Sequence, residues 1–244
     1  LEGIDSSDAG GILKAIETFA VECSINKVAT SEALAYAVDE AVQVFGGNGY
    51  SREFPVERAY RDARITRIYE GTNEINRLII ATRLLKNAEL RLTDAGDVNG
   101  HASVLQAEYD ALAHVKRLAR ASLGAIAQAF GPNARDQQEL LGHAANTIIE
   151  CYAIESALGR AEKMHARRGD GAAIALDAAR VYTCDAIDRA AHAGKQIQNA
   201  LSGQDDIDQL RSIVARVNDH PGTDSVAARR RIADTAIAQS RYPF

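Results

Sequence analysis

A helical periodicity runs almost unbroken through this chain, and the places where it stops are few. Apolar residues recur at three- and four-residue steps, the spacing of one helix face. The interruptions are Gly46-Gly47-Asn48-Gly49, Gly131-Pro132 and Gly169-Asp170-Gly171. Only 4 prolines occur in 244 residues, which leaves room for long helices, because an interior proline removes a hydrogen bond and clashes with the preceding turn. Alanine, the strongest helix former, occurs 45 times, while aromatic residues make up 5% of the chain. An all-β chain is excluded. The expected fold is all-α: an antiparallel helical bundle followed by a second helical bundle.

The breaks divide the chain into elements. Ser7 and Asp8 offer a cap for a helix from about Ala9 to Val28, with Ile12, Ile16, Phe19, Ala20 and Cys23 on one face. Thr30-Ser31-Glu32 reads as the cap of a second helix that carries Leu34, Val38, Val42 and Phe45 and stops at the glycine cluster. Pro55 suits the first turn of a short helix through Arg64. Residues 67–72 read as a loop, and Asn73 as the cap of a longer helix bearing Ile75, Leu78, Ile79, Leu84 and Leu85. Thr93 to Gly100 has linker composition. Beyond it the texture changes: 34 of the 45 alanines lie in residues 88–244, against 11 in residues 1–87. Long helices are expected over 101–130, 134–168 and 172–202, and shorter ones over 206–217 and 223–240. The implied organisation is a domain over 1–92, a linker over 93–100 and a helical extension over 101–244.

Bulk properties narrow the function. A net charge of −5 and a pI of about 5.7 exclude a strongly basic footprint for nucleic acid. No stretch of 18 apolar residues is present, and the first thirty residues lack the pattern of a secretory signal. Cys23, Cys151 and Cys184 form no CxxC pair, so they read as buried thiols of a reducing compartment. The chain begins at Leu1, and its only methionine is Met164, so the N-terminus is expected to be processed or missing.

Two short stretches differ from their surroundings. Gln43-Val-Phe-Gly-Gly-Asn-Gly-Tyr50 puts three glycines at a helix end, either a plain C-cap or a place where backbone approaches a ligand closely. Ile68-Tyr-Glu-Gly-Thr-Asn-Glu-Ile75 puts the carboxylate of Glu70 just ahead of a helix N-terminus. Such an end suits an anionic group such as a phosphate. A loop carboxylate aimed into an apolar cavity has a raised pKa and serves as a base, whereas a solvated one is only a surface acid.

Residues 36–85, YAVDEAVQVFGGNGYSREFPVERAYRDARITRIYEGTNEINRLIIATRLL, closely resemble the C-terminal signature of the acyl-CoA dehydrogenase family of flavoenzymes. The likeness is ungapped and spans the QVFGGNGY turn, the PVER…RDARI helix and the IYEGTNEI loop. Residues 22–35 resemble the preceding helical stretch. The alanine-rich remainder, through CYAIESALGRAEK and VAARRRIADTAIAQSRYPF, resembles the helical extension of the very-long-chain branch.

The resemblance implies an oxidoreductase that converts an acyl-CoA to the trans-2-enoyl-CoA of fatty-acid β-oxidation. Glu70 would be the base that removes the α-proton while the β-hydrogen leaves as hydride to FAD. Burial against the acyl chain would raise the pKa of that base. The backbone N–H of Glu70 would donate to the thioester carbonyl, with Gly71 beside it in the substrate site. Thr72, Asn73 and Glu74 match positions that touch FAD near its phosphates; many family members have Gln where Glu74 stands. Gln43, Val44, Phe45, Gly46 and Gly47 match the turn that contacts the FAD of a neighbouring subunit, so a homo-oligomer, a dimer at least, is implied. The acceptor implied is an electron-transfer flavoprotein, and the setting is the bacterial cytoplasm or the mitochondrial matrix side, with peripheral contact at the inner membrane. The family also has an N-terminal helical domain and a β-domain over the flavin ring. With neither in these 244 residues, the chain alone is expected neither to retain FAD nor to turn over. Two other readings stay open at this point: a non-catalytic helical module for dimerisation or membrane association, and a relative acting on a non-fatty acyl-CoA.

Three further patterns read as structural. Five arginines between Arg52 and Arg67 alternate with Glu53, Glu57 and Asp62, the mark of a salt-bridged surface. Glu162-x-x-His165 is half of a di-iron motif without its second half. Arg229-Arg230-Arg231 reads as a solvated helix face, the sharper alternative being contact with an anionic membrane.

Overall fold

The computed structural model describes residues 10–11, 17–86, 103–203, 207–219, 222–240 and 242. The described residues contain α-helices and 3₁₀ turns and no strand. They fall into two compact units, Leu1–Arg83 and Leu84–Phe244. The expected linker over 93–100 and the Ser7-Asp8 cap lie outside the described residues.

The first unit holds α1 (Ala20–Phe45), α2 (Pro55–Arg64) and, through Arg83, most of α3 (Asn73–Lys86). The two helices expected to meet near Thr30 are one. The hydroxyl of Thr30 donates back to the Asn26 carbonyl (2.7 Å) and that of Ser31 to the Val28 carbonyl (3.1 Å). These polar side chains therefore continue the helix instead of capping a new one. The buried face of α1 is Ser24, Ile25, Val28 and Ser31. Phe19, Leu34 and Phe45, expected inside, are exposed, as is Cys23. Pro55 opens α2 as expected, where its missing N–H costs nothing. Along α2 the Glu57–Arg61 and Arg58–Asp62 pairs give the salt-bridged surface.

The second unit holds α4 (Gln106–Phe130), α5 (Gln138–Arg168), α6 (Ala173–Ala200), α7 (Ile207–Asn218) and α8 (Ser225–Gln239), close to the expected spans. Its core is Leu105, Leu118, Ile126, Leu141, Ile154, Leu158, Ile197 and Leu201 with many buried alanines, whose small side chains let helices approach closely. At Gly194 a Cβ would stand 2.9 Å from Leu118 Cδ1, so any larger residue there would push the Leu118 side chain aside. The arginine run pairs with acids of α6: Arg229 bonds Asp185, and Arg231 makes a two-point contact with buried Asp177 (2.7 and 2.8 Å). Glu162 is taken up by the hydroxyls of Ser103 and Tyr109, the latter at 2.7 Å. Cys151 is buried, which pushes its thiol up to about 12, and Cys184 is half-buried.

Candidate functional site

The glycine turn lies at the end of α1. Gly46 stops the helix at φ +60°, and its N–H donates to the Gln43 carbonyl. Residues Gly46–Tyr50 continue as a 3₁₀ turn. A Cβ on Gly49 would meet the Val42 carbonyl oxygen at 2.6 Å and the Phe45 Cβ at 2.9 Å, so a side chain is impossible there without movement. Gln43, Val44, Phe45, Gly46 and Gly47 all face solvent, Val44 being 82% exposed. At Gly46 and Gly47 no atom comes within 4 Å of a built Cβ. The result is a ledge of open backbone, steadied by an edge-on contact of Phe45 with Phe54.

The second stretch is a tight reversal. A 3₁₀ turn over Ile65–Arg67 leads into two successive left-handed residues, Glu70 (φ +55°) and Gly71 (φ +80°). For Gly71 this conformation is easy; for Glu70 it costs on the order of 1–2 kcal/mol. The Thr72 hydroxyl then accepts from the Ile75 N–H (3.3 Å). Thr72 is thus the cap of α3, and Asn73, expected in that role, is the first residue of the helix. The Glu74 carboxyl is held below the usual carboxylate range, first by its own backbone N–H and then by the Thr72 hydroxyl. Glu70 itself is exposed. The burial expected of a base is therefore not supplied by the described residues.

Beneath this reversal lies a polar network that joins α3 to the middle of α1. Asn73 is only 2% exposed. Its amide donates to Ser31 Oγ (3.0 Å) and Glu32 Oε1 (3.1 Å), and its Oδ1 accepts from Lys27 Nζ (2.6 Å). Lys27 Nζ also donates to the Gly71 carbonyl at 2.8 Å, as does the amide of buried Asn76. Arg77 bridges both oxygens of Glu32 (2.8 and 2.9 Å). Burial raises the Glu32 pKa, but the bonds and charge of Arg77, with Asn73, outweigh it and leave the carboxyl lowered. Sequence reading missed Lys27, Ser31, Glu32, Asn76 and Arg77 as part of this site. The available signal was the spacing of Lys27 and Ser31, four residues apart on one helix face.

The two stretches are separate features. The loop is gathered around Lys27–Glu32, whereas the turn follows Phe45, about 20 Å farther along the α1 axis at 1.5 Å per residue. Asn73 turns its side chain inward, so only its backbone remains for a ligand.

These motifs have counterparts in known proteins. The family described as acyl-CoA dehydrogenase, C-terminal domain, matches residues 8–85, and a second family of the same description matches residues 114–217. A Bacillus subtilis protein named "Probable acyl-CoA dehydrogenase" is 42% identical over 179 residues, covering 68% of this chain and 30% of the relative. The mitochondrial short-chain specific acyl-CoA dehydrogenase of Bos taurus is 54% identical over 69 residues, 28% of this chain and 17% of that protein. The crystal structure of an acyl-CoA dehydrogenase complexed with FAD from Bacillus anthracis superposes with a TM-score of 0.87 at 31% identity, over 96% of this chain and 42% of that one. The chain thus spans less than half the length of each of these proteins. The glycine turn, the Glu70 reversal and the alanine-rich bundle are matched together, and the chain belongs to the acyl-CoA dehydrogenase family.

Proposed function

We propose that this chain supplies the catalytic base and part of the FAD and substrate sites of a flavin-dependent acyl-CoA dehydrogenase. One observation carries the reading: Glu70 and Gly71 are both left-handed, at the entrance of a capped helix, with the Gly71 carbonyl drawn inward and the Glu70 carboxylate facing out. Bound FAD would accept the β-hydrogen of the substrate as hydride. Glu70 would take the α-proton onto a carboxylate oxygen, leaving the Cα=Cβ bond of the enoyl-CoA. An α-proton of a thioester is a weak acid, so the carbonyl needs a donor, and the backbone N–H of Glu70 would give one. Exclusion of water over Glu70, by acyl chain and surrounding protein, would raise its basicity when substrate is bound.

The residues fit the cofactor. The open backbone of Gly46 and Gly47 has room for a dinucleotide, and the Thr72 hydroxyl with the first amides of α3 suits a phosphate. The Glu74 carboxylate competes for its own amide and for the Thr72 hydroxyl, and is poorly matched to a phosphate. The turn lies about 20 Å farther along α1 than the anchor of the loop, and by the family resemblance it would serve the FAD of a neighbouring subunit, in a homodimer or larger assembly. Exposed Val44, Tyr50, Ile68, Tyr69 and Ile75 are the apolar surface such partners would cover. The wider reading adds a place in fatty-acid β-oxidation, the very-long-chain branch, electron-transfer flavoprotein as acceptor, and a cytoplasmic or matrix-side setting with peripheral membrane contact. No helix among the described residues is long and apolar enough to cross a membrane.

The test is anaerobic mixing of the full-length gene product with straight-chain, branched and aryl acyl-CoAs. Bleaching of the flavin with formation of the enoyl-CoA supports the reading, and the preferred member identifies the substrate. Bleaching by branched or aryl thioesters alone would replace the fatty-acid assignment, and no bleaching by any thioester would overturn the function.

A further inference from the structure

Lys27 stands out among the charged residues because its ammonium is spent on the back of the Glu70 loop. It donates to the Gly71 carbonyl (2.8 Å) and to Asn73 Oδ1 (2.6 Å), with the residue half-buried on the face of α1 that also carries Val28 and Ser31. The Asn76 amide fills the other lone pair of the Gly71 carbonyl at 2.8 Å and also bonds the Thr72 carbonyl at 3.0 Å. In a trans peptide the C=O and N–H point in opposite directions. The two donors on the Gly71 carbonyl, Lys27 from α1 and buried Asn76 from α3, therefore turn the Thr72 N–H away from themselves. The same bonds hold Gly71 at φ +80° and, through the chain, Glu70 at φ +55°. Without them Glu70 has no reason to remain in a conformation that is uphill for a side-chain-bearing residue.

We propose that Lys27 is the positioning residue of the Glu70 loop: by fixing the Gly71–Thr72 peptide it sets the direction in which the Glu70 carboxylate and the outward amides are presented. Lys27 touches neither substrate nor the reacting atoms in this account. The inference rests on the reading of Glu70 as the base, and it makes a separate structural claim about the loop. Arginine, a longer planar cation, keeps the charge and a donor; methionine keeps the stem and loses both.

The experiment compares wild type, Lys27→Met, Lys27→Arg and Glu70→Gln in the full-length enzyme, by steady-state kinetics, flavin content, thermal midpoint and hydrogen exchange of peptides covering residues 68–73. Lys27→Met is expected to speed exchange in 68–73 at least tenfold and to lower kcat at least tenfold, with KM within about twofold and flavin content unchanged. Lys27→Arg should recover part of both losses. Unchanged exchange in 68–73 for Lys27→Met would overturn the proposal. So would a loosened loop with unchanged kcat, or an arginine variant that regains thermal stability but no rate. If Lys27→Met fails to fold, Lys27→Gln, which keeps a neutral donor, is judged by the same outcomes. Full activity in Glu70→Gln would sink the base reading instead. In that case the exchange of residues 68–73 alone decides whether Lys27 holds the loop.

Discussion

Glu70 at φ +55° and Gly71 at φ +80° make a reversal that the local sequence favours at one position only. Glycine is at ease there, whereas glutamate is held by what lies behind it. Gly71→Ala is expected to destabilise the first unit by about 1–2 kcal/mol, since the new Cβ also comes within 3.3 Å of the Asn76 amide; urea denaturation measures it. Thr72→Ala should cost about 1 kcal/mol as a lost helix cap, seen as a lower midpoint in the same experiment, while Glu74→Gln should be nearly neutral for folding. At this scale the site was legible where the residue itself dictates geometry, as with the glycines, Thr72 and the loop carboxylate. The supporting bonds were not legible. Lys27 meets Asn73 across 46 positions of sequence, and a lysine on a helix looks the same whether it is solvated or spent on a carbonyl.

At the level of elements, glycine clusters and Pro55 set the ends of the helices, and those ends were readable because glycine and proline act locally. The join near Thr30 was misread. Ser, Thr and Glu in a row serve equally as a cap or as residues that bond back along one helix, and the choice depends on partners in α3: Ser31 with Asn73, Glu32 with Arg77. The docking of α8 depends on charge. The bonds of Arg231, against a raising effect of burial, hold the Asp177 carboxyl below the usual range. A depressed carboxyl contributes stability that is present above its unfolded pKa, roughly 4, and is lost as pH falls through the lower folded value. The thermal midpoint of the second unit should therefore fall as pH drops below roughly 4, and Arg231→Met should lower it at neutral pH and flatten that acid dependence. A variant with the wild-type pH profile would show that the pair does not hold α8.

For the whole molecule, the division of labour follows composition. The alanine-rich unit buries a long run of leucines and isoleucines and leaves Val104, Val226, Ile237 and Tyr242 exposed, whereas the smaller first unit leaves more large apolar residues in solvent, among them Val44, Tyr50 and Tyr69. A surface of that kind belongs against other protein or a ligand. The 244-residue chain by itself is expected to be helical by circular dichroism yet to carry no stoichiometric flavin absorbance after gel filtration with excess FAD; a yellow, substrate-bleachable sample would contradict this. If Glu70 removes the α-proton, exchange of that proton with solvent depends on its carboxylate. In deuterated buffer, the full-length enzyme should exchange the α-hydrogen of a bound acyl-CoA analogue that cannot lose its β-hydrogen. Glu70→Gln is expected to bind the analogue but to lose this exchange at least a hundredfold, and exchange at the wild-type rate in Glu70→Gln would show that another group is the base.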